Sequence, residues 1–156
     1  MQLHKAILLA IENPARGIRI VRLAGGLDAA AGRRLAGVAD VQLRRVAAEA
    51  ADGHRSAHLL LDLASVRSFG PGGPEALTGI RDLGRAHGVQ VHLTGLSGRQ
   101  LLLPGQVTNL PYCMSSYPTV ECALQIIKRE EAERPSAMSS ASTLRPPSRQ
   151  RRDEQA

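Results

Sequence analysis

Apolar residues along this chain change their spacing several times, and each change marks an element. Ala6-Ile-Leu-Leu-Ala-Ile11 ends at Asn13-Pro14, and Gly17-Ile-Arg-Ile-Val-Arg-Leu23 ends at Ala24-Gly25-Gly26. Both runs read as strands bounded by turn residues, with Asn-Pro as a hairpin-like connection. From Asp28 the period becomes helical. Leu35, Val38, Ala39, Leu43, Val46 and Ala50 recur on one face, while Arg33, Arg34, Arg44 and Arg45 mostly turn outward. Asp28 suits the cap of that helix. His58-Leu-Leu-Leu-Asp-Leu63 is continuously apolar but for one aspartate, the pattern of a central strand covered on both faces.

Next comes Ser68-Phe-Gly-Pro-Gly-Gly-Pro-Glu-Ala-Leu77, a Gly/Pro turn that opens a second helix. Gly73 fits its cap and Pro74 its first turn; Ala76, Leu77, Ile80, Leu83, Gly84 and His87 keep helical spacing, and Gly88 sits where a left-handed C-terminal glycine belongs. Val89, Val91 and Leu93 then alternate with Gln90, His92 and Thr94, which predicts a half-covered strand. Between Ser97 and Tyr117 the pattern is weak; Arg99–Leu103 suits a short helix that ends at Pro104-Gly105. A last helix starts at Thr119, with Val120, Ala123, Leu124 and Ile127 on one face, and fades by Arg134-Pro135. The order strand, strand, helix, strand, helix, strand, helix predicts an α/β domain: a mixed, mostly parallel sheet of four to five strands with about four helices packed against it. Residues 1–134 form this domain. Residues 135–156, rich in Ser, Pro and Arg, cannot bury enough apolar surface to offset their ordering entropy and read as a disordered tail.

Composition narrows the function. The chain has 156 residues, 43% of them hydrophobic, so one domain with an aliphatic core is expected. Trp is absent and Phe69, Tyr112 and Tyr117 are the only aromatics, which argues against stacking platforms for single strands. The net charge of +6 is spread along the chain and partly placed in the tail, with no basic stripe long enough for duplex nucleic acid. No apolar run is long enough to span a bilayer, and Cys113 and Cys122 lack redox or metal spacing. A cytoplasmic protein with reduced thiols is expected. His4, His54, His58, His87 and His92 show no paired ligand spacing and read as surface or rim histidines, so neither a metal nor a cofactor is expected. No nucleophile–base order, acid pair or nucleotide fingerprint supports an enzyme.

Several motifs in order resemble the STAS family, the bacterial anti-sigma factor antagonists and their relatives. They are Gly25-Gly-Leu-Asp28, the strand Leu59–Leu63 with Asp62, Val66, the turn at 70–73, Ala76-Leu77 and Tyr117-Pro-Thr-Val-Glu-Cys-Ala-Leu124. The resemblance covers roughly Ile18 to Ile127. It implies a single STAS-like domain and places Val66 on the family's valine, Phe69 on its hydrophobic anchor, Gly70 on its aspartate, Pro71 on its phosphorylated serine and Gly73 on its glycine. The phosphoacceptor hydroxyl is therefore missing. In the family a partner ATPase, both anti-sigma factor and kinase, phosphorylates that serine, and the added charge breaks the complex.

The resemblance thus implies a binding module for an ATPase-type anti-sigma factor without the usual switch. The expected contact surface is Phe69, Gly70, Pro71, Gly72, Gly73 and Pro74 with Glu75, Thr78, Arg81, Asp82 and Arg85 of the following helix; Asp28 and Asp62 are candidates for supporting the loop. The alternative partner is the ATPase of a lipid-transporting ABC system, or a signalling scaffold. A homodimer is compatible with either. For the loop alone, a phosphate cradle and a plain strand-to-helix hinge stay open, and phosphorylation could move to Ser65, Ser68 or the tail, where Thr143 and the serines neighbour arginines.

Overall fold

The structure, a computed structural model, describes residues 7–53, 55–98 and 114–133. In chain order these form β1 (Leu8–Ala15), β2 (Ile18–Leu27), α1 (Ala29–Gly53), β3 (Ala57–Phe69), α2 (Gly73–His87), β4 (Val89–Thr94), β5 (Ser115–Tyr117) and α3 (Val120–Glu133). The five strands make one sheet in the order β1-β2-β3-β4-β5, antiparallel between β1 and β2 and parallel elsewhere. The mixed, mostly parallel α/β architecture read from the pattern is present. Three helices lie in the described residues; the short helix expected at Arg99–Leu103 and the tail from Pro135 fall outside them.

Alternation along β3 divides the core. Leu59, Leu61 and Leu63 belong to a large aliphatic cluster with Leu35, Leu43 and Val46 of α1 and Leu77 and Ile80 of α2. Leu60, between them, points the other way and joins Ile18, Ile20, Val120, Ala123 and Ile127 beneath α3. Burial on both faces is why β3 carries an unbroken Leu run.

Three boundaries differ from the sequence expectation. Asn13-Pro14 is no turn: β1 continues to Ala15, and the dipeptide sits where the β1–β2 register shifts. Proline is tolerated there because β1 is an edge strand, and the reversal is made by the following Arg16-Gly17, with Gly17 at φ 81°. Strand β2 runs through Gly25-Gly26 to Leu27, with two irregularities in its pairing to β3, and β3 extends past Leu63 to Phe69. These extensions carry Leu27 and Phe69 to the same level, so both strands end together beside the Gly/Pro turn. The short β5 pairs with β4 from Ser115 to Tyr117; its three residues are too few to leave a periodic signal.

Candidate functional site

The Gly/Pro turn stands at the C-terminal ends of the parallel strands, where α/β sheets leave room for binding. Gly72, at φ 86°, forms the N-cap of α2, one residue before the expected cap. A Cβ on Gly73 would collide with the Leu27 carbonyl oxygen, so no side chain fits there. The Gly70 N–H donates to the Leu27 carbonyl (2.8 Å) and the Gly73 N–H to the Gly70 carbonyl (3.0 Å). Pro71 and Pro74 have no N–H, which leaves only that of Gly72 between residues 70 and 74. A phosphate cradle needs several converging donors. The turn spends its own on closing itself against β2.

Asp28 stands beside it. Its Oδ1 accepts the Ala31 N–H at 2.9 Å and caps α1, and its Cβ would be 3.0 Å from a Cβ placed on Gly70. Asp28 is thus a cap and a neighbour of the loop at once. Asp62 does not reach the loop. Its Oδ1 accepts from the Thr94 hydroxyl (2.9 Å) and the Ala64 N–H (3.2 Å), and its Oδ2 accepts from Arg22 Nη1 (2.7 Å). With Arg22 Nε on Glu12 at 2.5 Å, a polar chain crosses from β1 to β4 on the α3 side of the sheet.

Burial sorts the expected contact residues. Pro71, Glu75, Asp82 and Arg85 are exposed, and Gly70, Gly72 and Phe69 are half-buried, with Phe69 packed on the large cluster. Gly73 and Pro74 are buried. Thr78 donates its hydroxyl to the Pro74 carbonyl (3.3 Å), and Arg81 is half-buried and bridges Asp82 (3.0 Å). The α2 residues also divide by side. Glu75 and Asp82 line a groove of about 700 Å³ between α1 and α2, together with Arg33, Ala29, Ala36 and Gly79, whereas Thr78, Arg81 and Arg85 do not. Ser65 and Ser68 are exposed near the end of β3.

Two buried histidines contradict the surface expectation. His58 and His92 are each 3% exposed, their rings are stacked, and His58 Nδ1 lies 3.0 Å from His92 Nε2. Tyr117 tilts against His92. Burial, with the neighbouring His58 charge second, pushes His92 down to about 4. The period-two pattern of β4 put Gln90, His92 and Thr94 on one face correctly. It could not show that α3, with Tyr117 of β5, covers that face. Their signal lay in register: His58 opposes Gln90 and Leu60 opposes His92, a diagonal pair two residues apart. His87 lies 3.7 Å from Asp40, while His4, His54 and Cys113 fall outside the described residues; Cys122, expected as a small buried hydrophobe, is half-buried, its N–H donating to the Thr119 hydroxyl that caps α3. No helix in the described residues is long and apolar enough to cross a membrane.

No family model matches the chain. No curated protein matches it either. Solved structures do. An anti-sigma factor antagonist from Mycobacterium paratuberculosis superposes with a TM-score of 0.57 at 23% identity, over 82% of this chain and 99% of that one. The antagonist SpoIIAA in its unphosphorylated form gives 0.55 at 15% identity, over 79% and 97%. The phosphorylated Bacillus cell-fate determinant SpoIIAA gives 0.50 at 19%, over 77% and 99%. These likenesses show the fold: the chain carries the fold of the anti-sigma factor antagonists, the STAS fold.

Proposed function

We propose that this protein is a non-enzymatic, cytoplasmic binding module that captures an anti-sigma factor and so releases a sigma factor for transcription, without a phosphorylatable serine in its loop. The reading rests on one observation above others. In a fold shared with anti-sigma factor antagonists, the loop at the head of α2 is closed on β2 and Asp28 and presents Pro71 to solvent. The contact surface is the exposed part of that loop, Gly70 to Gly72, with Glu75, Asp82 and Arg85. Arg81 supports it from a half-buried position. Phe69, Gly73 and Pro74 hold the surface from below.

Position 71 sets the regulation. An exposed proline has no hydroxyl to accept the γ-phosphoryl group of ATP, so phosphoryl transfer by a kinase-type partner does not end the complex. Restoring the switch takes Pro71→Ser alone. The double change with Gly70→Asp is less clean, because a side chain at Gly70 presses on Asp28 and adds a like charge.

The test is capture from host lysate by the tagged protein, with and without ATP, followed by direct titration of the retained ATPase. The expected result is a soluble anti-sigma ATPase that stays bound in ATP, releases the Pro71→Ser variant after phosphorylating it, and binds Asp82→Arg at least about tenfold more weakly, a loss of about 1.4 kcal/mol. Recovery of an ABC ATPase with membrane subunits would replace this reading by the transporter one.

A further inference from the structure

Strand β1 closes one end of the sheet, and its outer edge faces no other strand among the described residues. An open edge offers a row of unpaired backbone donors and acceptors, and proteins usually blunt it with charge, proline or a bulge. In β1 those devices come late. Glu12 is the first charge and is held by Arg22, and Asn13-Pro14 sits at the register shift. Leu8-Leu-Ala-Ile11, ahead of them, is regular and wholly apolar.

It is also uncovered. Leu8 is 69% and Ile11 46% exposed, and among the described residues Val41 of α1 is the only other large hydrophobic side chain that exposed. Such residues clustered on an edge, rather than scattered, mark an association surface.

We propose that β1 pairs antiparallel with β1 of a second copy of this chain, joining the two sheets edge to edge about a two-fold axis through Ala10. This register uses the whole regular run. Ala10 opposes Ala10 of the second copy, Leu9 opposes Ile11 and Leu8 opposes Glu12. The axis stands perpendicular to the sheet and keeps each face on its own side. Leu9 and Ile11, which pair with Leu23 and Val21 over the large cluster, therefore meet across the join on the side of α1 and α2, twice. The second copy is favoured over an open chain of molecules because β5, the opposite edge, has only three residues. A β1-to-β5 contact would be both short and non-closing, whereas β1 to β1 closes as a pair. The contact involves few residues per copy, which places it among weak, micromolar associations. It leaves the α2 loop free, since Leu8 pairs no further along β2 than Ala24, whereas the loop follows Phe69, level with Leu27.

Sedimentation velocity of the full chain over a dilution series tests this. The expected result is a monomer–dimer equilibrium in the range of about 1 to 100 µM, weakened about tenfold or more by Ile11→Lys. Leu8→Glu, at the more exposed position and opposite Glu12 of the second copy, is expected to act the same way through like-charge repulsion and guards against a folding defect in the first variant; unchanged thermal melting of each confirms an intact fold. A wild-type chain that stays monomeric above about 100 µM overturns the pairing, and so does a dimer that both variants leave intact.

Discussion

The two faces of the sheet are built on different chemistry. Under α1 and α2 the core is aliphatic, spanning Ile7 to Met114 in one cluster, with Arg19 and Gln42 as the buried polar residues on that face. Under α3 six buried hydrophobics share the face with His58, His92, Asp62 and Thr94. The first face draws its stability from area removed from water; the second depends on hydrogen bonds and on which groups carry protons. A single strand, β3, serves both by alternation, so neighbouring residues in sequence report on different kinds of core.

The widest separation is expected from two adjacent leucines, both fully buried. Leu61→Ala, on the aliphatic face, should destabilise by about 3 to 5 kcal/mol, and Leu60→Ala, under the smaller α3 cluster, by about 2 to 3 kcal/mol, as read by urea denaturation. Equal losses would mean that the α3 face is packed as tightly as the other.

The proton-dependent face gives the next effect. His92 resists protonation in the folded state down to about 4, whereas the unfolded chain takes the proton near the ordinary value of 6.5. Between those values the unfolded state binds more protons, so stability is full above the upper limit and falls as pH drops through the window. The loss from this one group is at most about 3 kcal/mol. Denaturation midpoints measured across this range should decline in the wild type and flatten in His92→Gln. An unchanged slope in the variant would assign the acid sensitivity to other groups.

The smallest effect concerns the surface above the aliphatic face. Gly79 lies in α2, and a methyl group on its Cα would meet nothing within 4 Å, so Gly79→Ala should gain up to about 1 kcal/mol of helix stability, read as a higher denaturation midpoint. A loss would show that the groove between α1 and α2 needs the glycine.

Much of this was legible in the chain. Unbroken Leu59–Leu61 announced a strand covered twice, Asp28 and Gly88 marked helix ends, and the ordered short motifs pointed to the fold. What stayed hidden depended on partners distant in sequence. Arg19 sits at 3% exposure, its charge met by Glu49 Oε2 at 2.6 Å and its Nε by Gln42, both from α1. Nothing in a β2 alternation distinguishes such a buried arginine from an exposed one. The same holds for His58 and His92, and for β1, where Asn-Pro marked a bulge rather than a turn. At the candidate site the pattern located the Gly/Pro turn between β3 and α2. It could not say that Gly73 and Pro74 are interior, which follows only from their closeness to β2.

That closeness bears on how tightly a partner can be held. A loop with the Gly70 and Gly73 N–H groups already bonded, its cap glycine set in the left-handed region and Gly73 pressed on a carbonyl has little conformational freedom left to lose. Ordering a flexible surface on association costs about 0.5 to 1.5 kcal/mol for each side chain immobilised. Around Pro71 that cost is already met during folding, so the association proposed for this loop should proceed as a rigid fit, with affinity governed by dissociation rather than by a search for the right shape.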